Sequence, residues 1–231
     1  MRIKLPLLIL CVAVAGLSSC QKNNDAPVVS TSIDSLNVIN ASPQAINFYL
    51  NGTRLNNNSN LSIGGSSGYY TVPSGQQTYQ FKKVFDPATS VVQTLFSLPV
   101  NLTPHHYYSL FIADDTSSHA FTTIDTLQAD TVAGTCYVRF VNASPAAGSL
   151  NFSIGGVSYS NQAFKSASGF RLVDTASLSP LLLTQSGSST PVFSGHYPLL
   201  ERAIYTFYVK GSPGGTGNSA FNIGVTLNAS F

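Results

Sequence analysis

The chain contains nearly the same eight residues twice, and this internal repeat limits the possible folds more than any other feature. LNVINASP covers residues 36–43 and VRFVNASP covers residues 138–145. Further blocks recur in the same order in both halves: 46–52 matches 150–156, 67–69 matches 168–170, and 108–112 matches 205–209. Insertions and deletions fall between the blocks, where loops are expected. The repeat predicts one structural plan used twice, in copies of about 100 residues, which is an ordinary domain size.

Within the matched blocks, apolar residues alternate with polar or amphipathic ones, which is the period of a half-buried β-strand. Asn51-Gly52 and Gly155-Gly156 follow two of these strands and supply residues that accept the positive φ of a tight hairpin turn. Residues 69–84, YYTVPSGQQTYQFKKV, predict a strand, a Pro-Ser-Gly turn and a second strand. We therefore expect an all-β protein of two consecutive immunoglobulin-like or transthyretin-like antiparallel β-sandwiches, with roughly seven strands in each.

The repeat also predicts the domain boundaries. We expect the first sandwich at residues 33–130 and the second at residues 135–231, joined by the short linker QADTVAGT (128–135). The NASP element has a mechanical explanation, because asparagine bonds backbone groups to start a turn and proline extends the serine before it. The chain then leaves one strand and enters another, crossing between sheets. NASP is therefore interpreted as a structural element rather than a ligand site.

The N-terminus predicts export. Arg2 and Lys4 precede an apolar run at residues 5–17, which is shorter than the about 20 residues that a membrane-spanning helix needs. A positive start and a short apolar run are typical of a secretory signal. We expect a lipoprotein signal peptide at residues 1–19.

The end of this signal predicts a lipid anchor. Residues 17–20, LSSC, resemble a bacterial lipobox, and this resemblance implies cleavage before Cys20 and triacylation of that cysteine. An ordinary signal peptide with a cysteine near its end is the alternative. Gln21 resembles the residue found there in Gram-negative lipoproteins that are released to the outer membrane. Residues 20–32 are expected to form a polar tether.

Composition argues against several classes of function. Cleavage before Cys20 removes Arg2 and Lys4, so the 11 basic residues become 9 against 9 acidic ones and the formal charge falls from +2 to zero. Such a chain offers no basic patch for nucleic acid, which is bound by neutralising phosphates. Cys11 leaves with the signal, so no intrachain disulfide is expected, and Cys136 is predicted to be a buried thiol. No Cys/His cluster has zinc spacing, and we expect no metal and no cofactor.

The order of motifs resembles a known family. A strand, NASP, an alternating strand that ends in glycine, GYxxVPxGxxxYxF and LTxxxYYSL are similar to the bacterial domain of unknown function family 4397. The first copy fits this pattern across residues 36–113, whereas the second has LVDTASLSP (172–180) in place of the VPxG turn. The resemblance implies secreted or surface β-sandwiches, often in tandem. It implies no established activity, so no functional residues are carried over.

Four short segments combine aspartate, a hydroxyl residue and a small or aliphatic residue. They resemble the O-glycosylation pattern of some Gram-negative outer-membrane bacteria. Chance occurrence in a chain rich in serine and threonine explains them equally well. The candidate acceptors are Ser35, Thr126, Thr131 and Thr175.

Two tyrosine pairs occur on predicted strands, Tyr69-Tyr70 and Tyr107-Tyr108. Adjacent strand residues point to opposite faces, so one ring of each pair is expected to face the core. Tyr70 aligns with Arg171 in the second copy and is not shared, which makes it the candidate for an exposed contact with a partner.

Three other patterns are typical of catalytic or metal sites. Residues 64–68, GGSSG, match the nucleophile elbow, but the sequence supplies no helix to follow it, so a flexible loop is expected. His105-His106 is expected to be a solvated loop pair, because strand neighbours rarely share a metal. Asp114-Asp115 supplies only the beginning of the six to eight oxygens that calcium binds.

These patterns lead to one expected function and one alternative. We expect a lipid-anchored outer-membrane protein, either surface-exposed or facing the periplasm. It is expected not to be an enzyme and to act as a spacer or as a binding module for a protein or a glycan. The alternative is a fimbrial or adhesin-like subunit, which requires an open strand edge for donor-strand pairing.

Overall fold

β-strands account for the fold in every part of the chain that the computed structural model describes, which is residues 32–56, 59–84, 92–129, 132–175 and 178–231. Within these residues the only helical segments are two short 3₁₀ turns, Ser117–His119 and Gly217–Ser219. The all-β prediction is therefore confirmed. The predicted signal peptide, Cys20 and most of the tether lie outside the described residues.

The described part of the chain contains no helix of the length and apolarity that crossing a membrane requires.

The first half of the chain forms a β-sandwich of two four-stranded sheets. One sheet has the order β4-β1-β7-β8 and the other has the order β3-β2-β5-β6. The strands are β1 (Ile33–Asn40), β2 (Ile46–Leu50), β3 (Thr53–Arg54), β4 (Ser66–Pro73), β5 (Gly75–Lys83), β6 (Thr94–Leu102), β7 (Tyr107–Ile112) and β8 (Ala120–Asp125).

The second half forms another sandwich with the same plan. Its sheets have the orders β12-β9-β15-β16 and β11-β10-β13-β14, which repeat the two orders of the first half strand by strand. The strands are β9 (Thr135–Asn142), β10 (Leu150–Ile154), β11 (Val157–Gln162), β12 (Arg171–Asp174), β13 (Ser179–Gln185), β14 (Pro191–Tyr197), β15 (Ala203–Lys210) and β16 (Asn222–Ser230).

Two details differ from the expected architecture. Each sandwich has eight strands rather than about seven. The sheets are mainly antiparallel, as expected, but β1 pairs in parallel with β7 and β9 pairs in parallel with β15. A parallel pair needs a long crossover connection. The strands of the opposite sheet supply it here, since the chain passes through them before it returns beside its starting strand.

The predicted hairpin turns are confirmed. Asn51 and Gly52 have φ values of 50° and 79°, and Gly155 and Gly156 have φ values of 54° and 82°. The first pair joins β2 to β3 and the second joins β10 to β11, each through the left-handed conformations that a type I′ turn requires. The GGSSG segment, however, is not the expected loop, because Ser66 already begins β4.

The NASP elements turn the chain from one sheet into the other, as predicted. Asn40 is fully buried, and its Oδ1 accepts hydrogen bonds from Ser42 N at 3.1 Å and Ser42 Oγ at 2.6 Å. Its Nδ2 donates to three backbone carbonyls at 2.8 to 3.1 Å. Asn142 repeats this arrangement, accepting from Ser144 N at 3.1 Å and donating to two carbonyls at 2.8 and 3.0 Å. One asparagine in each half thus holds the crossover in place.

Each sandwich encloses an apolar core between its two sheets. The first core contains Phe48, Tyr79, Phe81 and Leu110 among its buried residues. The second core contains a stacked pair, Phe140 and Phe152, with ring centroids 4.6 Å apart, and the predicted buried thiol of Cys136.

The two sandwiches pack against each other. Ser32–Phe231 form one compact unit, and the central strands β1, β7, β9 and β15 are buried along most of their length on both faces. One face of each strand contacts the core of its own sandwich, and the other contacts the neighbouring sandwich. We call β4-β1-β7-β8 and β12-β9-β15-β16 the inner sheets, and the remaining two the outer sheets.

Candidate functional site

An apolar cluster joins the two inner sheets. Ile39, Ala41 and Phe111 of the first sandwich meet Val141, Ala143 and Tyr208 of the second, and all six are at most 1% exposed. Ile39 pairs with Phe111 within the first inner sheet, and Val141 pairs with Tyr208 within the second. Ile39 therefore corresponds to Val141, and Phe111 corresponds to Tyr208. The same structural positions of the two halves therefore form the cluster.

A buried ion pair lies beside this cluster. Arg139 of β9 donates through Nη2 to Oδ1 of Asp125 on β8 at 2.5 Å, and the two side chains are 2% and 0% exposed. The guanidinium also donates to Ser109 Oγ at 3.3 Å, Ile124 O at 3.3 Å and Thr206 Oγ1 at 2.9 Å. A buried charge is costly unless it is paired and hydrogen-bonded, and both conditions are met here.

Tyrosine and asparagine complete the network around Asp125. Tyr69 donates to Asp125 Oδ2 at 2.5 Å and accepts from Asn228 Nδ2 at 2.9 Å, so its hydroxyl joins β4 of the first sandwich to β16 of the second. Thr206 Oγ1 donates to Asn228 Oδ1 at 2.6 Å and closes the ring. Burial first, and then the Asp125 carboxylate, raise the pKa of Tyr69 far above its ordinary value. Tyr69 therefore stays protonated as a hydrogen-bond donor.

A second contact lies at the opposite end of the cluster. Tyr208 Oη donates to Gly64 O at 2.8 Å, and its ring lies against Gly224, where a Cβ would come within 2.2 Å of Tyr208 Cζ. Only glycine leaves room for the ring at this position. In the equivalent place of the first sandwich, Phe121 stacks on Phe111 with centroids 5.1 Å apart. At equivalent positions, the first sandwich thus has the Phe121 ring stacked on Phe111, whereas the second has Gly224, which leaves space for the ring of Tyr208.

The interface network was missed by the sequence analysis, although a signal for it exists. Arg139 interrupts CYVRFV, and YSLFI and IYTFYV are nearly continuous apolar runs. Such runs are typical of strands that are buried on both faces.

A small pocket contains four of the residues singled out from the sequence, Ser35, His105, His106 and Tyr107. It has a volume of ≈ 190 Å³ and is lined by Ile33, Asp34, Ser35, Thr71, His105, His106 and Tyr107. The two histidines lie in the turn before β7, as predicted. The aspartate is buried, and its Oδ1 accepts from the His106 backbone N–H at 3.0 Å. Asp34, which precedes the candidate acceptor Ser35, therefore already makes a structural hydrogen bond.

The other candidate glycosylation acceptors lie in different surroundings. Thr126 is exposed and follows Asp125, whose carboxylate belongs to the buried network. Thr175 is partly buried and donates its backbone N–H to Gly134 O at 2.8 Å. Thr131 lies outside the described residues. The structure does not bring these side chains together.

Tyr70 lies partly buried at the rim of the first core rather than standing free on the surface. Its ring meets Phe48 edge-on with centroids 5.7 Å apart. Its remaining surface lines a polar pocket of ≈ 220 Å³ together with Asn56, Ser59, Asn60, Leu61, Ser62, Gly65, Ser66 and Ser67. In the other pair, Tyr108 is buried and Tyr107 is 45% exposed, which confirms the expected alternation there.

One histidine–carboxylate pair is present in the described residues. His119 Nδ1 lies 2.5 Å from Asp114 Oδ2, and the imidazole ring packs edge-on against Phe164 of the second sandwich. Among the described residues no hydroxyl is hydrogen-bonded to the other ring nitrogen. Within the same residues no three His, Cys, Asp or Glu side chains are grouped to hold a metal. Asp114 is thus engaged in a contact with the His119 side chain.

Taken together, the fold and its contacts define an all-β protein of two stacked sandwiches, each with an exposed outer sheet. A single family match covers residues 35–153, just over half of the 231 residues, and the family is described as a domain of unknown function, DUF4397. The chain belongs to this family. The match includes the first sandwich except for the first two residues of β1, and it continues into β10 of the second. No curated protein matches the chain.

Proposed function

We propose that this protein is a lipid-anchored component of the bacterial outer membrane, displayed on the cell surface as a rigid, non-catalytic binding module. The anchor is Cys20, which ends the lipobox-like segment. Stable anchoring requires more than one acyl chain, and a triacylated cysteine meets that requirement. Residues 21–32 would then allow the first sandwich to stand up to ~40 Å from the membrane, at ~3.4 Å per residue.

We further infer that the second sandwich is a diverged copy of the first. The support is a set of repeated hydrogen bonds at equivalent positions. Ser67 Oγ accepts from Val38 N at 2.8 Å, as Ser168 Oγ accepts from Phe140 N at 2.9 Å. Tyr108 Oη accepts from a loop amide at 3.0 Å, and Tyr205 Oη accepts from another at 3.1 Å. One set of local interactions therefore builds both halves.

The observation that supports a binding role is that the inner sheets are buried between the sandwiches whereas the outer sheets are exposed. The inner sheets are buried against each other at the contact between the sandwiches. Asp125 and Arg139, which are of residue types common in catalytic sites, form a buried ion pair at this contact. The outer sheets expose polar side chains on a rigid support. Sites on rigid elements favour recognition, because little conformational entropy is lost on binding.

A fimbrial subunit is the less favoured alternative. Donor-strand pairing needs a core that is left open along a strand edge. Each core here is enclosed by eight strands of its own half. This makes a binding module the simpler interpretation.

Lipidation is tested by metabolic labelling with radioactive palmitate. The wild-type chain should be labelled, Cys20→Ala should not be, and Cys136→Ala should be labelled like the wild type because that thiol is buried in the second core. Equal labelling of the wild type and Cys20→Ala would refute the anchor.

Surface display is tested by protease treatment of intact cells, followed by immunodetection. Loss of the protein while the cells remain intact is expected. Protection until the outer membrane is broken would overturn surface display and place the sandwiches in the periplasm.

A further inference from the structure

The outer sheet of the first sandwich presents a row of side chains that crosses all four strands. Arg54 on β3 pairs with Tyr49 on β2, Tyr49 pairs with Gln80 on β5, and Gln80 pairs with Ser97 on β6. These residues alternate with Phe48, Leu50, Tyr79 and Phe81, which point into the core, so they point outwards. Three strand spacings make the row ~14 Å long. We call this row and its outward neighbour Lys82 the basic face.

The cations of the basic face have no carboxylate partner among the residues that the structure describes. Lys82 Nζ lies 4.3 Å from the centre of the Tyr49 ring. The Arg54 guanidinium is held by neutral acceptors, Ser59 O and Asn60 Oδ1, both at 3.2 Å. Neither cation pairs with a carboxylate among the described residues, and residues 35–85 contain none of the nine acidic residues. Within the described part of the chain, an anion that approaches the face therefore meets two cations that no carboxylate pairs with.

The second sandwich offers an internal comparison. Its strand register places Ser158, Ser153, Leu182 and Thr184 where the first sandwich has Arg54, Tyr49, Gln80 and Lys82. Both cations and the aromatic ring are absent there. Since the two folds are otherwise the same, the basic face is not a requirement of the fold.

We propose that the basic face binds an acidic polysaccharide, one that carries carboxylate or sulfate groups. This inference rests on the proposed binding role and names its partner. Arginine and lysine bind such anions, and amide and hydroxyl groups such as those of Gln80 and Ser97 can exchange hydrogen bonds with sugar hydroxyls. Two cations among neutral polar groups suit a hydroxyl-rich polymer with spaced charges better than nucleic acid, which has a charge on every phosphate.

The test measures binding of the detergent-solubilised full chain to dextran sulfate and alginate, with uncharged dextran as the matched neutral polymer. The wild type should bind at least one acidic polymer and not dextran, and added salt should weaken the binding. Arg54→Gln/Lys82→Gln should lose at least about tenfold in affinity. Arg171→Gln/Arg202→Gln removes two exposed charges from the second sandwich and should bind like the wild type.

Several results would overturn the proposal: no binding to either acidic polymer, equal binding to dextran, or equal binding to single-stranded DNA. Binding that is unchanged in Arg54→Gln/Lys82→Gln would show that the protein binds glycans elsewhere, so the binding role would stand and this face would be wrong. Circular dichroism of each variant ensures that a loss of affinity reflects the face and not unfolding.

Discussion

The ion pair between the sandwiches should be among the most sensitive points of the molecule. Arg139→Met keeps much of the apolar stem but removes the guanidinium that bonds Asp125, Ser109, Thr206 and the carbonyl of Ile124. The Asp125 carboxylate would remain completely buried, with only neutral donors around it.

The magnitude follows from that burial. Removing one partner of a buried pair costs about 3–5 kcal/mol, because the other charge is left without compensation. Global stabilities are about 5–15 kcal/mol, so one substitution should remove a large share of the total. In Arg139→Met/Asp125→Leu no charge is left behind, and the loss should be smaller than for Arg139→Met alone. A double-mutant cycle then gives the coupling between the two residues.

Urea unfolding is the assay. The chain has no tryptophan and 11 tyrosines, so far-UV circular dichroism and tyrosine fluorescence are the two signals to compare. Arg171→Met is the matched control, because Arg171 is exposed and belongs to the same sandwich, and it should cost less than about 1 kcal/mol. The reasoning is refuted if Arg139→Met costs as little as the control, or if the double variant loses the full sum of the two single losses.

Three further predictions concern single side chains. Asn40→Ala leaves several buried backbone groups without partners and should cost about 3 kcal/mol in urea unfolding; a loss below about 1 kcal/mol would contradict the structural interpretation of NASP. Burial raises the pKa of Tyr79 to about 12, so its contribution is intact below about pH 10 and is lost as pH rises through 12; Tyr79→Phe should remove about 3 kcal/mol of that alkaline loss, and an unchanged pH profile would refute this. Gly224→Ala should cost about 1–3 kcal/mol by collision with Tyr208, whereas Gly169→Ala, with open space at its Cβ, should be nearly neutral in the same thermal melts.

Local features of the fold could be predicted from sequence because local chemistry decides them. The period-two pattern predicted the strands, and Asn51-Gly52 predicted a turn that is present. NASP was understood because its asparagine bonds the backbone at the start of the turn and its proline restricts the serine before it. The same reasoning failed for residues 64–68, where a motif match and a glycine count could not tell a loop from the beginning of a strand.

Long-range features could not be predicted in the same way. An alternating pattern of apolar and polar residues leads one to expect that the polar face of a strand is exposed to solvent. The pattern therefore gave no reason to expect a buried partner for Arg139. That partner, Asp125, belongs to the other sandwich and was assigned to a glycosylation segment instead. The parallel pairing of β1 with β7 depends on where the chain returns, which no short window contains.

The repeat and the packing together indicate where the two halves differ in role. Positions that match in both halves, such as Asn40 with Asn142 and Ser67 with Ser168, bond the backbone of a crossover or a strand. The outer faces do not match, since Lys82 has Thr184 as its counterpart. The inner sheets meet each other, so the outer sheets lie on opposite sides of the stack. A partner on one outer face would therefore leave the other free, and the chain can present two surfaces of different chemistry at once.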